Sequence, residues 1–277
     1  MVARGSPAIL TVLGSGTCVP NHARHSPAFH LDVGTSRLLL DCGPGTLHGF
    51  DAHRVRWAEL THVAVTHFHT DHVGDLPAVL FALKNAAQPR RTAPLTLIGP
   101  LGLGSFLRGL AGVFGDHVVS SGFELPVVEV VPGVAYADPR GDFVLEACAT
   151  PHTDESVAYR VSGAWGTVGY TGDTGPSDEV ASFLRGCDVL VGECALGDPP
   201  PMDRHLSPVL LAELAAVADP DLLVVTHVYP PLSPDEAVRL VRERFQGATV
   251  AGRDGMAVRI GPQGPPAIDP PPTARYT

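Results

Sequence analysis

Short runs of aliphatic and β-branched residues, cut by Gly, Pro and Asp, recur along the chain and constrain its fold more than any other feature. Strands are expected at Ile9–Leu13, Ala28–Val33, Arg37–Asp41, His62–Thr66, Leu95–Ile98, Val127–Val131, Phe143–Ala149 and Ser156–Val161. A second series is expected at Thr167–Thr171, Val189–Glu193, Leu222–Thr226, Thr249–Ala251 and Met256–Ile260. Helical periodicity interrupts them near Val73–Ala86, Gly102–Gly112, Ser177–Leu184, Pro208–Val217 and Pro234–Phe245. Ser177, Ser207 and Ser233 are entry signals for the last three helices, the third with Pro234 behind it and Glu236 at the capping-box position. Strands dominate first and then alternate with helices, so an α/β layered sandwich fits better than a barrel. The reading is one domain over residues 1–260, built of two similar halves, and a Pro-rich, loose tail over 261–277.

Composition narrows the function. Hydrophobic residues are 44% and charged residues 17% of 277, the balance of a folded globular chain. The formal charge of -10, from 19 Lys+Arg against 29 Asp+Glu, disfavours tight, sequence-indifferent nucleic-acid binding, which needs basic surface. It leaves room for an anionic substrate drawn in by metal ions. No apolar run is long enough to span a membrane, and the glycine-broken N-terminal segment does not read as a signal peptide. Cys18, Cys42, Cys148, Cys187 and Cys194 are odd in number and show no CxxC spacing, so free thiols and a cytoplasmic setting are expected.

The segment Thr66-His67-Phe68-His69-Thr70-Asp71-His72 carries the chemistry. It falls between an expected strand and an expected helix. While the chain is extended, His67 and His69 project to one side, and Asp71 and His72 come round at the bend before the helix. Two ligands for one metal and two for a neighbour follow from that spacing, which differs from the helical HExxH arrangement. Further ligands are expected at other strand ends. His152 follows Phe143–Ala149, Asp173 follows Thr167–Thr171, and His227 follows Leu222–Thr226. His30, His48, His53, His62 and His117 lie outside the pattern and read as structural or solvent-facing. His22, Arg24 and His25 lie on the loop after Gly14 and Gly16, where a substrate mouth is one use for them. The two glycines read as a tight turn, because no GK[ST] follows.

The HxHxDH pattern with a later His, an Asp and a final His resembles the metallo-β-lactamase fold superfamily from Leu13 to about Ile260. The resemblance implies a four-layer αβ/βα sandwich with a dinuclear centre at one rim. By it, His67, His69 and His152 would hold one metal, Asp71, His72 and His227 the second, and Asp173 would bridge them. A narrower likeness is to the ribonuclease Z-like branch. Gly14-Ser15-Gly16-Thr17, Leu39-Leu40-Asp41-Cys42-Gly43, Val189-Leu190-Val191-Gly192-Glu193, Asp203-Arg204-His205-Leu206-Ser207 and Asp254-Gly255-Met256 resemble motifs of that branch. It departs in two places. Thr70 stands where those enzymes usually carry Gly, and His152 and Asp173 are only 21 positions apart, which leaves no room for their tRNA-gripping arm. The chain is thereby closer to armless relatives acting on cyclic nucleotides or other small phosphodiesters. A homodimer is implied by the same likeness.

The expected activity is hydrolysis of a small or cyclic phosphodiester or of RNA. Two divalent ions about 3.5–4 Å apart can share a hydroxide and bring its parent water towards neutral pKa. His/Asp ligation suits zinc, while manganese and iron are also compatible. Asp71 is placed to orient the hydroxide, and His205, held in its tautomer by Glu193, to protonate the leaving alkoxide. The competing readings are a helix-entry residue for His205 and a satisfied strand-end carboxylate for Glu193. Hydrolysis of an aryl sulfate, lactone or thioester by the same centre is the rival activity, and a non-enzymatic metal-binding module the alternative outside catalysis.

Overall fold

The computed structural model describes residues 6–269. The first half supplies β1 (Ala8–Gly14), β2 (Ala28–Val33), β3 (Ser36–Leu40), β4 (His62–Ala64), β5 (Thr96–Gly99) and β6 (Val127–Glu129). Its helices are α1 (Thr46–Ala52), α2 (Thr70–Val73), α3 (Leu76–Asn85) and α4 (Leu103–Phe114). The second half supplies β7 (Tyr136–Ala137), β8 (Val144–Ala149), β9 (Val157–Gly163), β10 (Gly166–Tyr170), β11 (Val189–Glu193), β12 (Leu222–Thr226) and β13 (Thr249–Ala251). With them come α5 (Asp178–Phe183), α6 (Pro208–Ala218) and α7 (Pro234–Arg242). The chain then returns to the first sheet as β14 (Ala257–Gly261) and β15 (Gly264–Asp269).

An eight-stranded sheet runs β15-β14-β1-β2-β3-β4-β5-β6, and a seven-stranded sheet runs β13-β12-β11-β10-β9-β8-β7. Leu10, Val12, Leu31 and Leu38 of the first pack with Val161, Val168, Val189 and Val191 of the second in one buried cluster between them. The first sheet's other face is covered by α1, α3 and α4 through Phe50, Leu76, Leu80 and Leu107. The second is covered by α5, α6 and α7 through Val180, Leu211, Ala215 and Val241. The result is the α/β four-layer αβ/βα sandwich. Sheet covered on both faces explains why β3, β11 and β12 are buried at every position rather than alternating. Each such Leu or Val contributes roughly 1.5–3 kcal/mol by leaving water.

Local chemistry sets the boundaries. Ser177, Ser207 and Ser233 accept from the backbone N–H groups of Val180, Leu210 and Glu236, as N-caps should. The Glu236 carboxylate does not complete a capping box; it pairs with Arg239. The single helix expected over Val73–Ala86 is broken at Gly74-Asp75, where Asp75 Oδ2 accepts from Gly45 and Leu47 and Pro77 opens α3. Strand β4 stops at Ala64 rather than Thr66, because the Thr66 N–H donates to Asp41 Oδ1 at 2.7 Å instead of continuing a ladder. The expectation of a loose tail from 261 needs correction over 264–269. Gly264–Asp269 pairs antiparallel with β14, and its prolines are tolerated because it is the sheet's edge strand. Residues 270–277 of that tail lie outside the described residues.

β10, β11 and β12 are mutually parallel, as are β3, β4 and β5, so each set brings its carboxyl ends to one edge. Hydrogen bonds join the two sheets there: Val157 N to Thr66 O at 3.1 Å, Tyr159 Oη to Val65 O at 2.7 Å, and Tyr170 Oη to Asp41 Oδ2 at 2.6 Å. This rim holds the polar cluster. Among the described residues, no helix is long and apolar enough to cross a membrane.

Candidate metal centre

The segment after β4 carries His67 and then His69, the latter in extended backbone as the residue before α2. Asp71 and His72 lie inside α2 itself, where a bend had been expected. One helical turn swings both round to the rim that His67 faces. Close approach makes this possible: a Cβ on Gly43 would lie 2.0 Å from Asp71 O, so only glycine lets the β3–α1 turn pass under α2. His152 enters three residues beyond β8, Asp173 three beyond β10, and His227 directly after β12 with a φ of 56°.

These seven side chains converge. Ligand-capable atoms of His67, His69, His152 and Asp173 lie within 4.8 Å of one another, as do those of Asp71, His72 and His227. Asp173 faces both groups. Its Oδ2 is 3.9 Å from His67 Nε2 and 3.6 Å from His152 Nε2, while Oδ1 is 3.3 Å from His72 Nε2 and 3.6 Å from His227 Nε2. His69 is the solvent-exposed member; the other six are buried.

The donor set fits divalent cations. His67 Nε2, His72 Nε2 and Asp173 Oδ1 are buried and have no hydrogen-bond partner, a costly state for polar atoms that a cation relieves. His69 Nδ1 and His152 Nε2 point at each other across 3.1 Å. Burial, followed by the charge of His72, pushes the His67 imidazole far below its ordinary pKa, so it is neutral with a lone pair to give. Burial acts on Asp173 in the opposite sense, but His227 and His72 outweigh it and hold the carboxyl well below its usual range.

A supporting layer fixes the rings. Asp41 Oδ2 lies 2.7 Å from His72 Nδ1, and Asp41 also accepts from Tyr170 Oη and from the Thr66 N–H and hydroxyl. His67 Nδ1 meets Thr66 Oγ1 at 3.0 Å, and His152 Nδ1 meets Arg204 O at 3.0 Å. Reading the sequence did not give Asp41 or Tyr170 a role. The available signal was an acid ending the fully apolar run Leu38-Leu39-Leu40, a costly residue there unless it is bonded.

Glu193, the last residue of β11, is buried and accepts from Thr174 N, Ala195 N, Leu206 N and His205 Nδ1, the last at 2.9 Å. The satisfied-carboxylate reading and the His205-orienting reading therefore describe the same group. His205 reaches the cluster: its ring centroid is 4.7 Å from that of His152, and it forms a third ligand-capable group with Asp173 and His227. Burial disfavours its charge, but the hydrogen bond to Glu193 and that carboxylate's charge raise its pKa. The glycine loop is a tight turn, with Gly16 N donating to His25 O at 2.7 Å, and Asp254 ties it down through Ser15 and His25 N. The stretch between His152 and Asp173 is taken up by the β9–β10 hairpin, with no arm in it.

A family model described as beta-lactamase superfamily domain matches residues 36–228. The ribonuclease Z of Mycobacterium bovis (strain BCG / Pasteur 1173P2) is 27% identical over 281 residues, covering 92% of this chain and 99% of that protein. Among solved structures, the metallo-beta-lactamase fold protein YhfI from Bacillus subtilis has a TM-score of 0.79 at 21% identity, over 92% of this chain and 100% of its own. The short form of human tRNase Z has a TM-score of 0.71 at 23% identity, over 90% and 98%. The chain belongs to the beta-lactamase superfamily and shares its fold. Within that class it is ribonuclease Z-like.

Proposed function

We propose that the rim holds two divalent cations, zinc by donor type, and that the substrate is a small or cyclic phosphodiester or RNA. The division of the Asp173 carboxylate carries this reading: one oxygen faces His67 and His152, the other His72 and His227. His67, His69 and His152 would take one cation, Asp71, His72 and His227 the other, and Asp173 both. When bound, such ions withdraw charge from the phosphoryl oxygens and lower the pKa of water towards neutrality.

The chain's own residues do the rest. Asp71 Oδ2, 3.4 Å from His227 Nε2, lies in the second ligand group and is positioned to orient the attacking oxygen. His205 Nδ1 is occupied by Glu193, so its proton for the leaving alkoxide comes from Nε2. The raised His205 pKa supports that acid role. The phenolate of an aryl sulfate and the thiolate of a thioester need protonation less than an alkoxide, so the His205–Glu193 pair favours a phosphodiester over those two. The homodimer and the cytoplasmic setting are part of the proposal, the first resting on the resemblance and the second on five unpaired thiols.

The test is turnover by metal-reconstituted protein of bis-p-nitrophenyl phosphate, cyclic AMP, a pre-tRNA, an aryl sulfate and a lactone. Hydrolysis within the phosphodiester group is expected. Turnover of the sulfate or lactone alone overturns the substrate class.

A further inference from the structure

A cavity of 330 Å³ opens beside Asp71, lined by Thr17, Asn21, Arg24, His25 and Thr70 among others. Arg24 is the telling residue. Its guanidinium is half-buried, yet among the described residues no carboxylate lies within ion-pair distance of it. Among the described residues its one hydrogen bond is from Nη1 to Val228 O at 3.2 Å, which leaves four of its five N–H donors without a protein partner there, and that carbonyl adjoins His227. Burial lowers the Arg24 pKa, and the more distant charge of Asp254 only partly offsets it. In a chain of net charge -10, an arginine with no carboxylate in ion-pair contact, beside the cluster of ligand-capable side chains, is free to meet an external anion. Among the described residues Asp71 is the only carboxylate lining the cavity, and its Oδ2 lies 3.4 Å from His227 Nε2. The lining offers neutral donors as well: Asn21 uses Oδ1 to accept from Ala23 N, leaving its amide N–H groups for the cavity.

We infer that Arg24 binds a second phosphate of the substrate, adjacent to the scissile one, so that nucleotides carrying a flanking phosphate are preferred over simple phosphodiesters. The inference rests on the phosphodiesterase reading above. It makes Arg24 a specificity residue, distinct from the groups that act on the scissile bond.

Two chromogenic esters with the same leaving group test it on the full, zinc-loaded chain: thymidine 5′-(p-nitrophenyl phosphate) and its 3′-phosphorylated counterpart. The 3′-phosphate should lower KM about tenfold to a hundredfold, the range of one or two charge-assisted hydrogen bonds. Arg24→Ala should erase that advantage with kcat retained, and Arg24→Lys should keep part of it. Equal KM for the two esters in the wild type, or Arg24→Ala slowing both alike, overturns the assignment. Calorimetric binding of thymidine 3′,5′-bisphosphate and of thymidine 5′-monophosphate separates the two readings. Absence of turnover with Arg24-dependent binding of the bisphosphate rejects the phosphodiesterase and keeps the anion site. Turnover without such binding does the reverse.

Discussion

The two halves of the molecule build one rim by different means. The first half delivers His67, His69, Asp71 and His72 from six consecutive positions, so their relative placement is set by the local path of a strand passing into α2. The second half delivers His152, Asp173 and His227 one at a time, each from the end of a different strand. Their placement depends on sheet register and on the β8–β9 and β10–β12 pairings holding those ends level. A compact motif is robust to distant changes, whereas dispersed ligands depend on whatever joins the sheets. Here the Asp41–Tyr170–Thr66 network is one part of that joint and bonds a first-half acid to a second-half hydroxyl.

The sharpest contrast is between chemistry and assembly. His205 belongs to the second half and is assigned to proton transfer rather than to either of the two ligand sets divided by Asp173. His205→Ala should lower kcat about 10²–10⁴-fold with metal content intact. Loss of bound metal in that variant, seen by elemental analysis, would make His205 part of the assembly instead. Asp41→Asn comes next: it keeps the shape and tolerates the left-handed backbone (φ 55°) but weakens the bond orienting His72. Metal affinity should fall about 10–100-fold in competition with a chelator. Unchanged affinity would mean that packing alone levels the two halves. Smallest is Ser207→Ala, which removes the cap of α6 two residues after His205. It should cost about 1 kcal/mol in denaturant unfolding and leave kcat within twofold. A large loss of activity would show that the His205 loop is positioned by α6 rather than by Glu193.

The same contrast explains what was legible in the sequence. His67 to His72 announce themselves because the ligands are adjacent and no local structural need calls for them together. His152, Asp173 and His227 could be picked out because β8, β10 and β12 are apolar runs that end abruptly in a polar residue. Asp41 and Tyr170 sit 129 positions apart and meet only through the packing of one sheet on the other, which no local pattern encodes. For Arg24 and His25 a substrate mouth is one of the uses the loop allows, and both line the cavity beside Asp71, whereas the absence of a carboxylate in ion-pair contact with Arg24 is a property of three dimensions. Among the elements, α1 escaped notice because Thr46–Ala52 is short, contains Gly49 and has no side-chain cap. β15 escaped because Gly264-Pro265-Pro266 reads as a loop unless the strand is known to lie on an edge.

The claim that both halves share one pair of cations is tested most directly at Asp173, the group that faces both sets. Elemental analysis of zinc-reconstituted protein should return two equivalents per chain in the wild type and at most one in Asp173→Ala. A wild-type chain that stays cation-free, or an Asp173→Ala variant holding two equivalents at wild-type affinity, would contradict it.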